Sequence, residues 1–175
     1  MVEKQLDLLT KRLKSIDTFR LFSEAEIKAH LLPACIVKQF KAGDAIIKEG
    51  AIGSHAFFII SGHVKAVKRG VSLFQMQRRG DVFGEEAVID GSPAPAAVIA
   101  VKDTTCLALA ARLVGSLKDD SLGKFHSILY RVFAEKLAER LRESDVIIAK
   151  LKEEILRLRK AGGAAAAPGP PGGRE

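Results

Sequence analysis

Three patterns of apolar spacing divide the chain. Val2, Leu6, Leu9, Leu13 and Ile16 recur at steps of four and three, which predicts an amphipathic helix over residues 2–16. Ser23 with Glu26 three residues on reads as a capping box, and a helix of about two turns is expected to follow it and stop before Pro33. From residue 35 to residue 109 the pattern changes to short runs at 35–40, 45–48, 56–60, 64–68, 71–77, 96–101 and 104–109, with a further short one inside 80–95. Gly43-Asp44, Gly50, Gly53, Ser61-Gly62, Arg69-Gly70 and Gly80-Asp81 punctuate them. Short strands at such regular spacing predict an all-β sandwich or barrel.

After Arg112 the helical pattern returns. Asp119-Asp120-Ser121 can cap a helix expected to continue to Lys160, and the stretch from Lys124 would span about 55 Å at 1.5 Å per residue. Its seam is Leu137, Leu141, Ser144, Ile148, Leu151, Ile155 and Leu158, again at steps of four and three. That is a heptad repeat, with Leu137, Ser144, Leu151 and Leu158 at d and Leu141, Ile148 and Ile155 at a. β-Branched residues at a with leucine at d favour a parallel two-stranded coiled coil, hence a homodimer. Arg140 at g would face Asp145 at e of a partner, and Glu154 would face Arg159, while Ile147 opposite Lys152 breaks the pattern. The other reading is one long helix packed on its own β-domain. Residues 161–175 are Ala, Gly and Pro for the most part and are expected to be a disordered tail or linker. The expected divisions are therefore 1–33, 34–118, 119–160 and 161–175.

The stretch that carries chemistry is 80–101. A strand-like run stops at Gly80-Asp81, and Phe83-Gly84-Glu85-Glu86-Ala87 opens a segment able to make one turn of helix. Gly84 permits a tight turn and has no Cβ to obstruct a ligand. A Gly91-Ser92-Pro93 turn leads on to Ala94, Pro95 and Ala96 and an apolar exit to Val101. This stretch resembles the phosphate-binding cassette of cyclic nucleotide-binding domains, whose pattern is Phe-Gly-Glu, a small residue, Ala-Leu, and then Pro-Arg-Ala-x-x-Val. Phe83, Gly84, Glu85, Ala87, Gly91, Ser92, Pro93, Ala96 and Val98 fit it without a gap. Phe57-Phe58-Ile59-Ile60 with Gly62 and Val64 resembles the family's central hairpin. With Lys41-Ala42-Gly43-Asp44 and Lys48-Glu49-Gly50, the resemblance covers about residues 20–140.

The resemblance implies an eight-stranded jelly roll flanked by N-terminal helices and a long C-terminal helix. It also implies that Glu85 meets a ribose 2′-hydroxyl and that the amides after Gly84 meet a cyclic phosphate. A second reading of Glu85 is a carboxylate that accepts backbone N–H groups and holds the loop. N-terminal helices of this kind either lead in from a partner or simply cover the barrel. The departure from the pattern is at Ala94, which occupies the arginine position, and Pro95, which removes an N–H normally aimed at the phosphate. Losing one partner of a buried charge pair costs about 2–5 kcal/mol, and a hydrogen bond to a charged group contributes about 1.5–3 kcal/mol. A combined loss of about 4 kcal/mol turns a micromolar ligand into a roughly millimolar one. Cyclic AMP or GMP is therefore expected to bind weakly.

Composition narrows the rest. The 175 residues suit one domain with extensions, and 47% apolar content supports a core of Val, Ile, Leu, Ala and Phe. The net charge of +7 comes without a dense Lys/Arg block, so a solvated basic surface is the expectation and nucleic-acid binding rests on charge alone. Cys35 and Cys106 sit in apolar runs without metal or redox spacing, as buried thiols would. His30, His55, His63 and His126 have no ligand spacing, and neighbouring Glu85 and Glu86 point apart on a helical turn. No Ser-His-Asp arrangement or phosphate loop occurs, so the chain is not expected to be an enzyme. The polar start and the lack of a long apolar run argue against a signal peptide or membrane span and for the cytoplasm. No residues after Lys160 resemble the helix-turn-helix of the family's transcription activators, so sequence-specific DNA binding is not expected. Three functions fit: a regulatory module coupling a nucleotide-like ligand to its dimerising helix, a ligand-blind dimeric scaffold for partner proteins, and a subunit of a nucleic-acid-binding assembly.

Overall fold

In the computed structural model, residues 2–116 and 120–164 are described. Asp119 of the expected cap and the tail from residue 165 onward lie outside them. The chain divides into two units, Met1–Lys136 and Leu137–Glu175.

Helix α1 (Val2–Lys14) is followed by a 3-10 turn at Asp17–Phe19 and by α2 (Glu24–Glu26), which continues as a π-helical turn over Ile27–Leu31. The capping box is formed: the Ser23 N–H donates to Glu26 Oε2 at 2.6 Å and the Glu26 N–H donates to Ser23 Oγ at 3.2 Å. Ser23→Ala leaves one of these donors to water, and we expect a loss of about 1 kcal/mol. Urea unfolding checks this as a lower midpoint at unchanged slope.

Among the described residues six strands follow: β1 (Cys35–Phe40), β2 (Ala45–Ile47), β3 (His55–Lys68), β4 (Val71–Met76), β5 (Val82–Phe83) and β6 (Ala97–Ala110). All pairing is antiparallel, in the order β1-β6-β3-β4, with β2 also on β6 and β5 also on β3. The expected eight strands are six because two pairs of runs fuse. Runs 56–60 and 64–68 are one strand, and so are 96–101 and 104–109. The supposed hairpin turn at Ser61-Gly62 is instead a set of irregularities where β3 bends against β6. Gly62 has φ +116°, and a Cβ there would lie 2.5 Å from Thr104 Cα. A glycine inside a strand marks a bulge or a close backbone approach as readily as a turn, and the sequence alone does not distinguish these.

Along β3 the side chains alternate between two cores, as the two-residue strand period requires. Phe57 and Ile59 join Val64, Met76, Phe83, Val98 and Cys106 in the inner core of the β-domain. Phe58 joins Phe19, Phe22, Ile27, Leu31, Phe125 and Phe133 in the core beneath the helices. β6 does the same, with Cys106 and Ala108 inward and Leu107 and Leu109 toward the helices. Both sheet faces are covered here, which explains the uninterrupted apolar runs.

Helix α3 (Glu86–Ile89) lies in the cassette, α4 (Ala111–Ser116) follows β6, and α5 spans Asp120–Ala164. The helix thus starts before Gly123 and passes Lys160 by four residues. Its early turns belong to the first unit, because Phe125, Leu129, Val132 and Phe133 are buried in the helical core. In the second unit, Leu141, Ile148, Leu151, Ile155 and Leu158 of the seam are exposed, and Leu137 is exposed at the boundary. Ser144 Oγ donates to the Arg140 carbonyl at 2.9 Å, so the polar residue of the expected seam is satisfied within its own helix.

Candidate ligand cavity

β5 ends at Gly84, which has φ +71°. A Cβ at this position would lie 2.7 Å from Ile47 Cδ1 and 3.0 Å from the His55 carbonyl oxygen. Glycine is required both for the left-handed turn and for the close approach to β2 and β3. One turn of helix, α3, follows. The chain then turns again at Asp90, whose carboxylate accepts the Ser92 N–H at 2.9 Å and is held below the usual carboxylate range by that bond. The segment before β3 is bonded along the far side of the cassette. The Ala94 N–H donates to the Ala51 carbonyl at 2.9 Å, the Gly50 N–H donates to the Ala94 carbonyl at 2.8 Å, and Ile52 bridges to Pro93.

These segments enclose a cavity of about 300 Å³, at the lower end of the volumes usual for small-molecule sites. The cassette contributes Gly84, Glu86, Ala87, Ser92 and Ala94. β2 supplies an apolar wall through Ile46 and Ile47, and Ile52 sits exposed at the rim. Phe57 also lines the cavity, resting on the cassette's own Phe83 with ring centroids 5.2 Å apart and nearly parallel planes.

Three basic or protonatable residues line the same cavity: Lys38, Lys48 and His55. Lys38 Nζ lies 5.7 Å from the centre of the Phe57 ring, within reach of a cation–π contact. The His55 Nδ1 is 2.8 Å from Ser54 Oγ. Burial, and then the positive charges of Lys38 and Arg112, push the His55 pKa below its ordinary range, so the ring is neutral at pH 7.

Of the residues singled out in the sequence, the structure gathers Gly84, Glu86, Ala87, Ser92 and Ala94 around the cavity. Phe83, Glu85, Pro95 and Ala96 do not line it. Phe83 and Ala96 are core, and Pro95 is exposed. Glu85 is fully buried at the start of α3, where its backbone carbonyl accepts the N–H groups of Val88 and Ile89 at 2.9 Å each. Glu86, its neighbour, is the acid in the lining. Lys38 was not singled out in the sequence, Lys48 entered only through the Lys48-Glu49-Gly50 run, and His55 only as a histidine without ligand spacing. They lie on or beside three different strands, and the only local hint was a lysine interrupting the apolar run of β1.

Other chemistry is not apparent at this site. Burial pushes both Cys35 and Cys106 up to about 12, so each is a thiol at neutral pH. Among the described residues no cluster of His, Cys, Asp or Glu could hold a metal, and no helix is long and apolar enough to cross a membrane.

A bent antiparallel β-domain, helices packed on one of its faces, and a cavity behind a glycine-led cassette match what the resemblance to cyclic nucleotide-binding domains implies. Residues 37–120 match the family model described as "Cyclic nucleotide-binding domain". It is 33% identical over 149 residues to a cGMP-dependent protein kinase of Toxoplasma gondii, a match covering 85% of this chain and 14% of that kinase. It is 35% identical over 88 residues to a cAMP-dependent protein kinase regulatory subunit of Eremothecium gossypii, covering 50% of this chain and 19% of that subunit. The chain therefore spans less than a fifth of the length of either relative. The crystal structure of the Thermus thermophilus Catabolite Activator Protein superposes with a TM-score of 0.60 at 25% identity, over 77% of this chain and 62% of that one. A cyclic nucleotide-binding domain from Methylobacillus flagellatus shares the fold, with a TM-score of 0.66 at 23% identity over 84% of both chains.

Proposed function

We propose that this chain is a non-enzymatic regulatory module that admits a nucleotide-like ligand to the cassette cavity and couples its occupancy to a dimerising C-terminal helix. The observation that carries this reading is the cavity itself, formed by Gly84, Ala87, Ser92 and Ala94 at their cassette positions. The relatives are consistent with it, being a cyclic-nucleotide-dependent kinase and a kinase regulatory subunit. Coupling would pass through α5, whose first turns are buried with the β-domain and whose continuation carries the heptad seam. A ligand drives such a switch only by binding one state more tightly than the other. Pairing of two copies accounts for the exposed Leu141, Ile148, Leu151, Ile155 and Leu158. Two free cysteines suit a reducing compartment, and we place the protein in the cytoplasm.

Isothermal titration calorimetry with cyclic AMP and cyclic GMP tests the ligand reading. The unaltered chain should bind them only at about millimolar concentration, because Ala94 brings no charge to the lining. Ala94→Arg combined with Pro95→Ala restores a cation and an N–H, and affinity should rise about tenfold or more, some 1.4 kcal/mol. The second reading, a ligand-blind scaffold, is favoured by the same uncharged Ala94. It prevails if the folded double variant gains no affinity.

A further inference from the structure

From Gly50 to Gly80 the sequence holds no Asp or Glu, and it carries two exposed cation pairs, Lys68-Arg69 and Arg78-Arg79. Between the pairs runs β4, Val-Ser-Leu-Phe-Gln-Met, which has no charged residue and no proline. β4 stands at one end of the strand order and pairs only with β3 among the described residues. Its other edge carries no strand, and such an edge offers N–H and C=O groups to an incoming chain. Val71 is 62% exposed and Leu73 46%, and Ser72 and Gln75 are exposed beside them. Folded proteins usually blunt an edge of this kind with charge or proline inside the strand. β4 has neither. It is interrupted by one bulge, at Leu73, where the pairing steps from Ala66–Phe74 to Val67–Ser72.

The flanking charges decide what the edge accepts. Two copies of β4 side by side, parallel or antiparallel, would set cation pair against cation pair at both ends. Like charges directly opposite destabilise strand pairing, so a second copy is a poor partner. Each end also has one carboxylate of its own. Glu49 accepts the Arg69 N–H at 3.0 Å, and Asp81 accepts the Arg78 N–H at 2.9 Å. Asp81 lies 3.8 Å from Lys136 Nζ as well. Two cations against one carboxylate leave each end positive. An extended segment with carboxylates at both of its ends gains where a second copy of β4 loses.

We infer that the open edge of β4 docks an extended, acid-flanked segment of a partner protein, which adds to the sheet as a further strand. In strand addition the main-chain hydrogen bonds supply affinity and the neighbouring side chains supply selection. Val71 and Leu73 meet apolar side chains of the incoming strand, and the two cation pairs meet its Asp or Glu residues. The eight residues from Gly70 to Gln77 set the spacing between the acidic ends. No residue of β4 lines the cassette cavity, so docking here is independent of the ligand reading.

Calorimetry of the full chain with three synthetic peptides tests this. The first is Glu-Glu-Ser-Val-Thr-Val-Thr-Val-Thr-Ser-Glu-Glu. The second has lysine for every glutamate, and the third is the acidic peptide with Pro-Pro for its central Val-Thr. Proline removes the donors that a strand needs. The acidic peptide should bind about tenfold or more tightly than either of the others. It should also slow hydrogen exchange at the amides of β4. Lys68→Glu combined with Arg79→Glu should weaken the acidic peptide about tenfold and strengthen the lysine peptide by a similar factor. Melting temperatures show that the variant folds, and the comparison of peptides on the unaltered chain stands without it. Equal binding of the acidic peptide and its proline form means attraction by charge alone, as for a nucleic acid or an anionic membrane, and overturns the inference. So does equal binding of the lysine peptide, unchanged exchange at β4, or no binding of the acidic peptide.

Discussion

Replacing Phe58 by alanine should cost the first unit about 3–5 kcal/mol of stability, the usual range for removing a buried phenylalanine ring. Phe58 is 1% exposed. Its ring centre lies 5.0 Å from that of Phe19, in the turn after α1, and 6.1 Å from that of Phe133, on α5. It is paired across the sheet with Leu107 on β6 and Val82 on β5. One side chain thus joins the N-terminal helices, the outer face of the sheet and the early turns of α5. Those neighbours come from four separate elements, each fixed by its own hydrogen bonds, so they collapse poorly into the space the ring leaves. Phe58→Leu keeps most of the volume and should cost less. Guanidinium unfolding monitored by circular dichroism measures both. A loss under about 1 kcal/mol for the alanine variant, the range of an ordinary substitution, would show that the helices do not depend on this contact.

Ile148→Lys should convert a dimer into a monomer. Ile148 is at the middle a position of the proposed seam and is exposed in the single chain. In a parallel pair its two copies meet, so lysine would bring two ammonium groups together in an apolar layer. Val146→Lys provides the contrast. Val146 is also exposed, but it falls at f, away from the seam, and its substitution should leave the dimer intact. Sedimentation velocity at tens of micromolar separates these outcomes. An unaltered chain that sediments as a monomer at that concentration sinks the pairing. Equal dissociation by both substitutions would move the interface to another face of the helix.

The sequence by itself determined features whose partners are close along the chain. The Ser23–Glu26 capping box needs only three intervening peptide units, and both of its bonds are present. The turn at Gly84 was legible because a left-handed conformation selects glycine whatever surrounds it. The β character of residues 35–109 was legible because strand period and turn residues are local signals. The cassette pattern pointed to the family, and five residues of the cassette meet at one cavity.

Tertiary structure decided what depends on contacts across elements. Ser61-Gly62 reads equally as a turn or a bend, and only the approach of Thr104, 42 residues beyond Gly62, makes it a bend within one strand. Glu85 and Glu86 are neighbours of the same residue type. Which of them lines the cavity depends on how a single helical turn is rotated against β2 and β3, and it is Glu86. Phe125 and Phe133 look like ordinary apolar positions of a long helix, but packing on Phe22 and Phe58 buries them in the first unit. Lys38, His55 and Arg112 stand 17 and 57 residues apart along the chain. The pairing of β1 and β3 with β6 assembles them, and long-range strand pairing leaves no trace in the residues between.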